Sequence, residues 1–152
     1  GIQLAEGSGE LRLQSSDPNE QPFLDYRYLQ HEFDRQRLRE TLRICVALGN
    51  DPAFKDIIEE RIEPTDEELA SDESIDEYLY REVTTQQHIS CTNKMGPSTD
   101  PMAVVDQYGK VHGLEGLRVA DASIMPNCVR ANTNVTTMMI GERVADWIKQ
   151  GK

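Results

Sequence analysis

The spacing of apolar residues changes once along the chain, near Val83, and this change constrains the fold more than any other feature. Apolar residues recur at helical intervals over residues 29–48, and a second helical pattern covers residues 72–83. Residues 84–100 are polar and interrupted by Gly and Pro, and they follow neither helical nor strand periodicity. We therefore predict two helices, followed by an irregular polar segment.

Short strands and a last helix are predicted around these segments. Within residues 9–14 the alternation puts Leu11 and Leu13 on one face of a half-buried strand. Residues 22–25 are extended, residues 103–113 have the pattern of a hairpin, residues 117–120 that of a buried strand, and a helix runs from about Asn132 or Thr133 to Ile148. Because strands and helices interleave without a repeat, the sequence predicts the α+β class.

Composition excludes several functions. The chain has 27 acidic and 16 basic residues, a net charge of −11, which argues against a nucleic-acid partner. No apolar run reaches the roughly 18–20 residues of a membrane helix, so no membrane span is predicted. The three cysteines lack C-x-x-C spacing, which favours a reducing, cytoplasmic environment, and no residues have the spacing of metal ligands.

Two segments carry side chains suited to a site. His88 lies in the polar segment, and an imidazole, with an ordinary pKa of about 6.5, can take a proton near neutral pH. Asn132 and Thr133 stand where the last helix begins, and a helix N-terminus favours electron-rich groups. A lone His is more often structural, however, and Asn and Thr are common helix caps. The residues alone favour these structural interpretations.

A resemblance changes that balance. Residues 88–96 (His-Ile-Ser-Cys-Thr-Asn-Lys-Met-Gly) resemble the His-Pro-x-Gly-Thr-x-x-Met-Gly segment of glucose–methanol–choline (GMC) oxidoreductases, and residues 103–126 and 132–146 are similar to the segments that come after it in that family. Residues 9–18 and 25–29 are similar to its upstream strand region. Ile89, Cys91 and Asn93 depart from the family, which usually has Pro, Gly, and Cys or Ser there. These departures bear on the substrate pocket more than on the imidazole.

The resemblance implies the C-terminal part of a two-domain α+β or α/β GMC fold. Residues 1–100 would mostly belong to the substrate-binding domain, with its antiparallel sheet and helices. Residues 101–152 would return to the FAD-binding domain with its last strand and C-terminal helix. The Gly-x-Gly-x-x-Gly loop that binds the FAD pyrophosphate in this family is absent from the chain. We therefore expect an N-terminal FAD-binding portion, on a separate chain or in a missing segment.

The resemblance also implies a reaction. An alcohol would be oxidised to an aldehyde or ketone, with His88 accepting the hydroxyl proton, Asn132 binding the substrate oxygen, and hydride passing to flavin N5. The residues expected to contact FAD are Asp121, Ala122, Asn132, Thr133 and Gln87. The alternatives are a non-oxidative relative, such as a hydroxynitrile lyase or photodecarboxylase, and a non-catalytic acidic interaction domain. Beyond a small-molecule alcohol, a homo-oligomer is compatible with these expectations.

Overall fold

The computed structural model describes all 152 residues, which form two compact units, Gly1–Thr84 and Thr85–Lys152. The elements are β1 (Glu10–Arg12), β2 (Phe23–Asp25), α1 (Glu32–Gly49) and α2 (Asp72–Glu82) in the first unit, and α3 (Asn134–Lys149) in the second. Helices combined with one small antiparallel sheet confirm the predicted mixture of elements. No helix has the length and hydropathy needed to cross a membrane. The division into substrate-binding residues 1–100 and FAD-binding residues 101–152 stays a prediction.

The sheet of the first unit is a two-stranded ribbon. β1 and β2 pair antiparallel, with Leu11 opposite Leu24, at the two places where the sequence predicts extended chain. The predicted half-burial is wrong, because Leu11 is 50% and Leu13 81% exposed. Two strands alone leave both faces of a ribbon uncovered, so alternation along a strand does not guarantee a buried face.

Helices α1 and α2 form the core of the first unit. Ile75 and Leu79 of α2 are buried together with Leu29, and Leu38 and Leu42 of α1 pack against them. The predicted second helix is confirmed to within one residue. The first begins at Glu32 rather than at residue 29, because Leu29 has a left-handed backbone with φ of +61°.

A cluster of charges also joins these two helices. The buried guanidinium of Arg39 donates to Asp76 at 2.7 Å and to Glu32 at 2.6 Å. Arg43 bonds Asp72, the first residue of α2. Part of the acidic excess of the chain therefore pairs with the arginines of α1, and it is not all a free acidic surface.

The second unit has its own apolar core, formed by Val105, Ile124, Met125, Ile140 and Val144. The predicted hairpin is present as isolated antiparallel bridges, of which one joins Val105 to Val111. Its turn requires Gly109, where φ is +74° and an added Cβ would lie 2.6 Å from a backbone oxygen.

The predicted strand at residues 117–120 and the predicted last helix have different outcomes. Arg118 forms one antiparallel bridge, with Lys110. Leu117 is 50% exposed, so the prediction that this segment is buried is wrong. The predicted last helix is confirmed as α3, which carries Ile140 and Val144 into the core.

Candidate active site

The polar segment after Val83 is held against a short 3₁₀ turn, Ala122–Ile124. Three alternate residues of the segment donate backbone hydrogen bonds to three successive carbonyls of the turn. The pairs are Cys91 to Ala122 at 3.2 Å, Asn93 to Ser123 at 3.0 Å, and Met95 to Ile124 at 2.9 Å. Donation by every second residue is the pattern of an extended strand. These bonds connect the segment carrying His88 to the predicted FAD contacts at Asp121 and Ala122.

Side chains strengthen the same connection. The Asn93 amide donates to the Ser123 hydroxyl at 3.0 Å, so this departure from the family motif adds a bond between the two segments. Lys94 pairs with Asp100 at 2.7 Å, and the Met102 N–H donates to the same carboxylate. The hydrogen bond from Lys94, followed by that from Met102, lowers the pKa of Asp100.

The backbone on both sides of His88 is left-handed. Gln87 has φ of +60° and Cys91 has φ of +70°, a region that L-residues other than Gly rarely adopt. The family usually has Gly at the position of Cys91, so this departure places a side chain on a backbone suited to glycine. The Cys91 thiol contacts the Ser90 hydroxyl at 3.4 Å, and no contact orients it as a nucleophile toward His88.

The structure brings His88 to the start of α3. The imidazole is half-buried, and its Nδ1 lies 3.2 Å from the Thr133 hydroxyl. Thr133 is 7% exposed, whereas its neighbour Asn132 is exposed to solvent. His88 and Thr133 are 45 residues apart in the sequence. The two segments that the sequence singles out therefore meet, and His88 contacts the residue next to Asn132.

The prediction that an Asn or Thr side chain caps this helix is wrong, because no capping hydrogen bond forms. Thr133 occupies the N-cap position, but its φ and ψ are −73° and −16°, and its side chain makes no capping bond. Its hydroxyl contacts His88 instead. The N–H groups of the first turn of α3 therefore have no side-chain acceptor, which leaves them to water or to a bound electron-rich group.

The other predicted cofactor contacts lie nearby in the same unit. The Asp121 carboxylate accepts the Ser123 N–H at 2.8 Å, so it caps its own turn, while Ala122 uses its carbonyl to bind Cys91. Gln87 is exposed. His112 contacts the Gly96 carbonyl at 3.0 Å through Nε2.

Comparisons with known proteins identify the family of the chain. The GMC oxidoreductase C-terminal family model covers residues 5–141. Oxygen-dependent choline dehydrogenase from Stenotrophomonas maltophilia (strain K279a) is 41% identical over 98% of this chain and 26% of that enzyme. Formate oxidase from Aspergillus oryzae superimposes with a TM-score of 0.85 at 29% identity, over 97% of this chain and 25% of that chain. An FAD-dependent oxidoreductase from Chaetomium thermophilum superimposes with a TM-score of 0.81 at 31% identity, over 94% of this chain and 24% of that chain.

The chain spans about a quarter of the length of the curated relatives it matches. The segment that contains His88 and the segment that contains Asn132 both lie inside the matched residues 5–141. The chain therefore belongs to the GMC oxidoreductase family and corresponds to its C-terminal region.

Proposed function

We propose that this chain supplies the catalytic base and the substrate-orienting amide of an FAD-dependent enzyme that oxidises an alcohol to an aldehyde or ketone. The observation that supports the proposal is the 3.2 Å contact between the His88 imidazole and the hydroxyl of Thr133, the residue that follows Asn132 in the sequence. His112, by comparison, contacts a backbone carbonyl, that of Gly96. His88 is instead paired with the start of a helix that keeps its first N–H groups uncapped.

The residues of this region fit a bound flavin. The uncapped N-terminus of α3 presents backbone N–H groups and the positive end of the helix dipole, which suit a group that gains negative charge when it is reduced. Asp121 and Ala122 would approach the cofactor through their backbone, since the Asp121 carboxylate is occupied by Ser123. FAD, when bound, supplies the acceptor for the hydride of the alcohol carbon.

The chain's own part of the reaction is to bind the substrate hydroxyl and to move its proton. His88 accepts that proton at Nε2, because Nδ1 faces Thr133. Asn132 donates an amide N–H to the same oxygen and holds it in line. A positioned general base of this kind contributes roughly 10²–10⁴-fold to the rate.

The remaining parts of the enzyme lie outside this chain. An N-terminal FAD-binding portion, in the same polypeptide or on a separate chain, would supply the pyrophosphate-binding loop. Relatives named choline dehydrogenase and formate oxidase share this region, so its presence alone does not select one substrate. We expect substrate choice to depend on residues of the missing portion as well.

Replacement of His88 by Ala tests the proposal in the FAD-loaded protein. Anaerobic mixing with a panel of choline, aryl, aliphatic and sugar alcohols should bleach the flavin of the unaltered protein. His88→Ala should keep its flavin and lose about 10²–10⁴-fold in the rate of bleaching. His31→Ala is the matched control, because His31 is an exposed histidine of the other unit, without a capping side-chain bond.

Three outcomes would contradict the proposal. Bleaching of His88→Ala at the unaltered rate would remove His88 from the reaction. A yellow protein that no alcohol in the panel reduces would favour the non-oxidative relatives. A preparation of this chain together with its N-terminal portion that takes up no flavin would favour the acidic interaction domain.

A further inference from the structure

We propose that Thr133 positions His88 by accepting the Nδ1–H of the imidazole, which fixes the tautomer whose Nε2 is free to take a proton. Thr133 is then a positioning residue and does not touch the substrate. This inference rests on the proposed function, because it assigns a partner to the proposed base. It also gives Thr133 a different role from the cofactor contact that the sequence suggests.

The burial of Thr133 is the first support. It is the one buried polar or charged residue within residues 85–152. Buried hydroxyl groups almost always have a hydrogen-bond partner. A threonine at the N-cap normally finds that partner in the first turn of its helix, but Thr133 makes no such bond. Its partner is His88 Nδ1 at 3.2 Å, so the helix gives up a side-chain cap and the imidazole gains a fixed neighbour.

The backbone of Thr133 is held in place from the other side. Its carbonyl accepts both the N–H of Thr137 at 2.9 Å and the Thr137 hydroxyl at 2.8 Å. A β-branched side chain has few rotamers, so a fixed backbone restricts its hydroxyl to few directions. Thr133 therefore offers His88 a rigid partner, whereas the left-handed residues Gln87 and Cys91 set the path of the loop that carries the imidazole.

The direction of the hydrogen bond follows from the chemistry. A hydroxyl can donate or accept, and neutral imidazole carries its proton on one of two nitrogens. If Thr133 donated to Nδ1, the proton would sit on Nε2, and the nitrogen that faces away from Thr133 could not act as a base. If Thr133 accepts from Nδ1–H, the Nε2 lone pair is free.

The proton balance of the step is then simple. The O–H bond of the alcohol breaks and an N–H bond forms at Nε2 of His88. The proton on Nδ1 stays where it is throughout. The resulting imidazolium carries a positive charge, so its Nδ1–H bond to Thr133 becomes charge-assisted and stronger. Thr133 therefore stabilises the protonated product of the step as well as the starting tautomer.

Two substitutions separate this role from packing. Thr133→Val keeps the shape of the side chain and removes the hydroxyl, whereas Thr133→Ser keeps the hydroxyl. Thr99→Val is the control, because Thr99 is an exposed threonine of the same unit. All four proteins are prepared loaded with FAD, and flavin content is measured first.

The readout that does not depend on activity is ¹⁵N NMR of protein labelled at the histidine nitrogens. The spectra are recorded at a pH at which the imidazoles are neutral. The His88 signals are assigned as those that disappear in His88→Ala, whatever other histidines the FAD-loaded protein contains. We expect a protonated Nδ1 and an unprotonated Nε2 in the unaltered protein, in Thr133→Ser and in Thr99→Val. We expect Thr133→Val to shift His88 towards the Nε2–H tautomer.

Flavin reduction by alcohol is the second readout. Thr133→Val should lower the rate about 10–100-fold, the size of effect known for partners that orient metal-bound histidines, and Thr133→Ser should restore it. A proton on Nε2 of His88 in the unaltered protein would overturn the inference, as would an unchanged tautomer in Thr133→Val. If no alcohol reduces the unaltered flavoprotein, the proposed function fails, and the tautomer measurement still decides the role of Thr133. If Thr133→Val does not fold, the unaltered protein and Thr133→Ser decide it.

Discussion

The left-handed backbone at Cys91 predicts that glycine is more stable than alanine at this position. At an ordinary position the order is the reverse, because glycine loses more chain entropy on folding, by about 0.5–1 kcal/mol. At φ of +70° a Cβ atom costs about 1–2 kcal/mol in steric repulsion, and glycine avoids this cost. The repulsion exceeds the entropy, so Cys91→Gly should be more stable than Cys91→Ala by about 0.5–1 kcal/mol.

Cys128 provides the matched control for this comparison. Like Cys91 it is half-buried, and its thiol makes one contact of 3.4 Å, to the neighbouring residue Val129. Its φ is not positive. Cys128→Gly should therefore be less stable than Cys128→Ala by about 0.5–1 kcal/mol. Both variants at a site lose the thiol, so its loss cancels when Gly is compared with Ala at that site. The entropy cost of glycine cancels when this Gly–Ala difference at Cys91 is compared with that at Cys128. The remaining difference of about 1–2 kcal/mol measures the backbone repulsion alone.

Urea unfolding of the chain, followed by fluorescence, is the assay. Trp147 is the only tryptophan, and it packs against the core of the same unit. With a slope of about 1–3 kcal/mol per molar urea, the midpoints of the Ala and Gly variants should differ by roughly 0.5 M, in opposite directions at the two sites. If Cys91→Gly is less stable than Cys91→Ala by the same amount as at Cys128, the left-handed conformation at Cys91 is refuted.

Two further predictions concern the core and the charges. Ile75 is fully buried and Ile57 is 80% exposed, so Ile75→Val should lower the free energy of unfolding by about 0.5–1.5 kcal/mol and Ile57→Val should have little effect, as urea midpoints will show. Because Lys94 holds the pKa of Asp100 below its ordinary value of 3.8, the stabilisation from Asp100 is present above that value and is lost as the pH falls through the lowered folded pKa. The difference in urea midpoint between the unaltered chain and Asp100→Asn should therefore shrink as the pH falls from 6 towards 2, and a constant difference would contradict the assignment of the shift to Asp100.

Local periodicity was sufficient to predict the helices but not which faces are buried. The bounds of α2 and α3 follow from apolar spacing, because each helix buries apolar residues of its own. These are Ile75 and Leu79 in α2, and Ile140 and Val144 in α3. Burial of Leu11 required something to pack over the ribbon, and a sequence pattern contains no information about that. The predicted first helix was too long because Leu29 has a left-handed backbone, and a leucine in the sequence does not indicate that conformation.

The site was predicted only in part. The resemblance led to His88 and to the start of the last helix, and the structure brings these two segments together. The individual contact could not be predicted, because a Thr in front of a helix has the same local pattern whether it caps the helix or binds a histidine. The left-handed conformation at Cys91 was indicated only indirectly, by the family's preference for Gly there.

The position of the His88 imidazole is set at two places that are distant in the sequence. After His88, the loop is bonded to the turn Ala122–Ile124 by three backbone hydrogen bonds and by the amide of Asn93. At the imidazole itself, the partner is Thr133, which is fixed by the first turn of α3. Both places belong to the same core, since Ile124 and Ile140 are buried in one cluster. A substitution in that core should therefore change the geometry of the imidazole as well as the stability of the unit, and this coupling explains how an imidazole on an irregular loop can keep a fixed orientation.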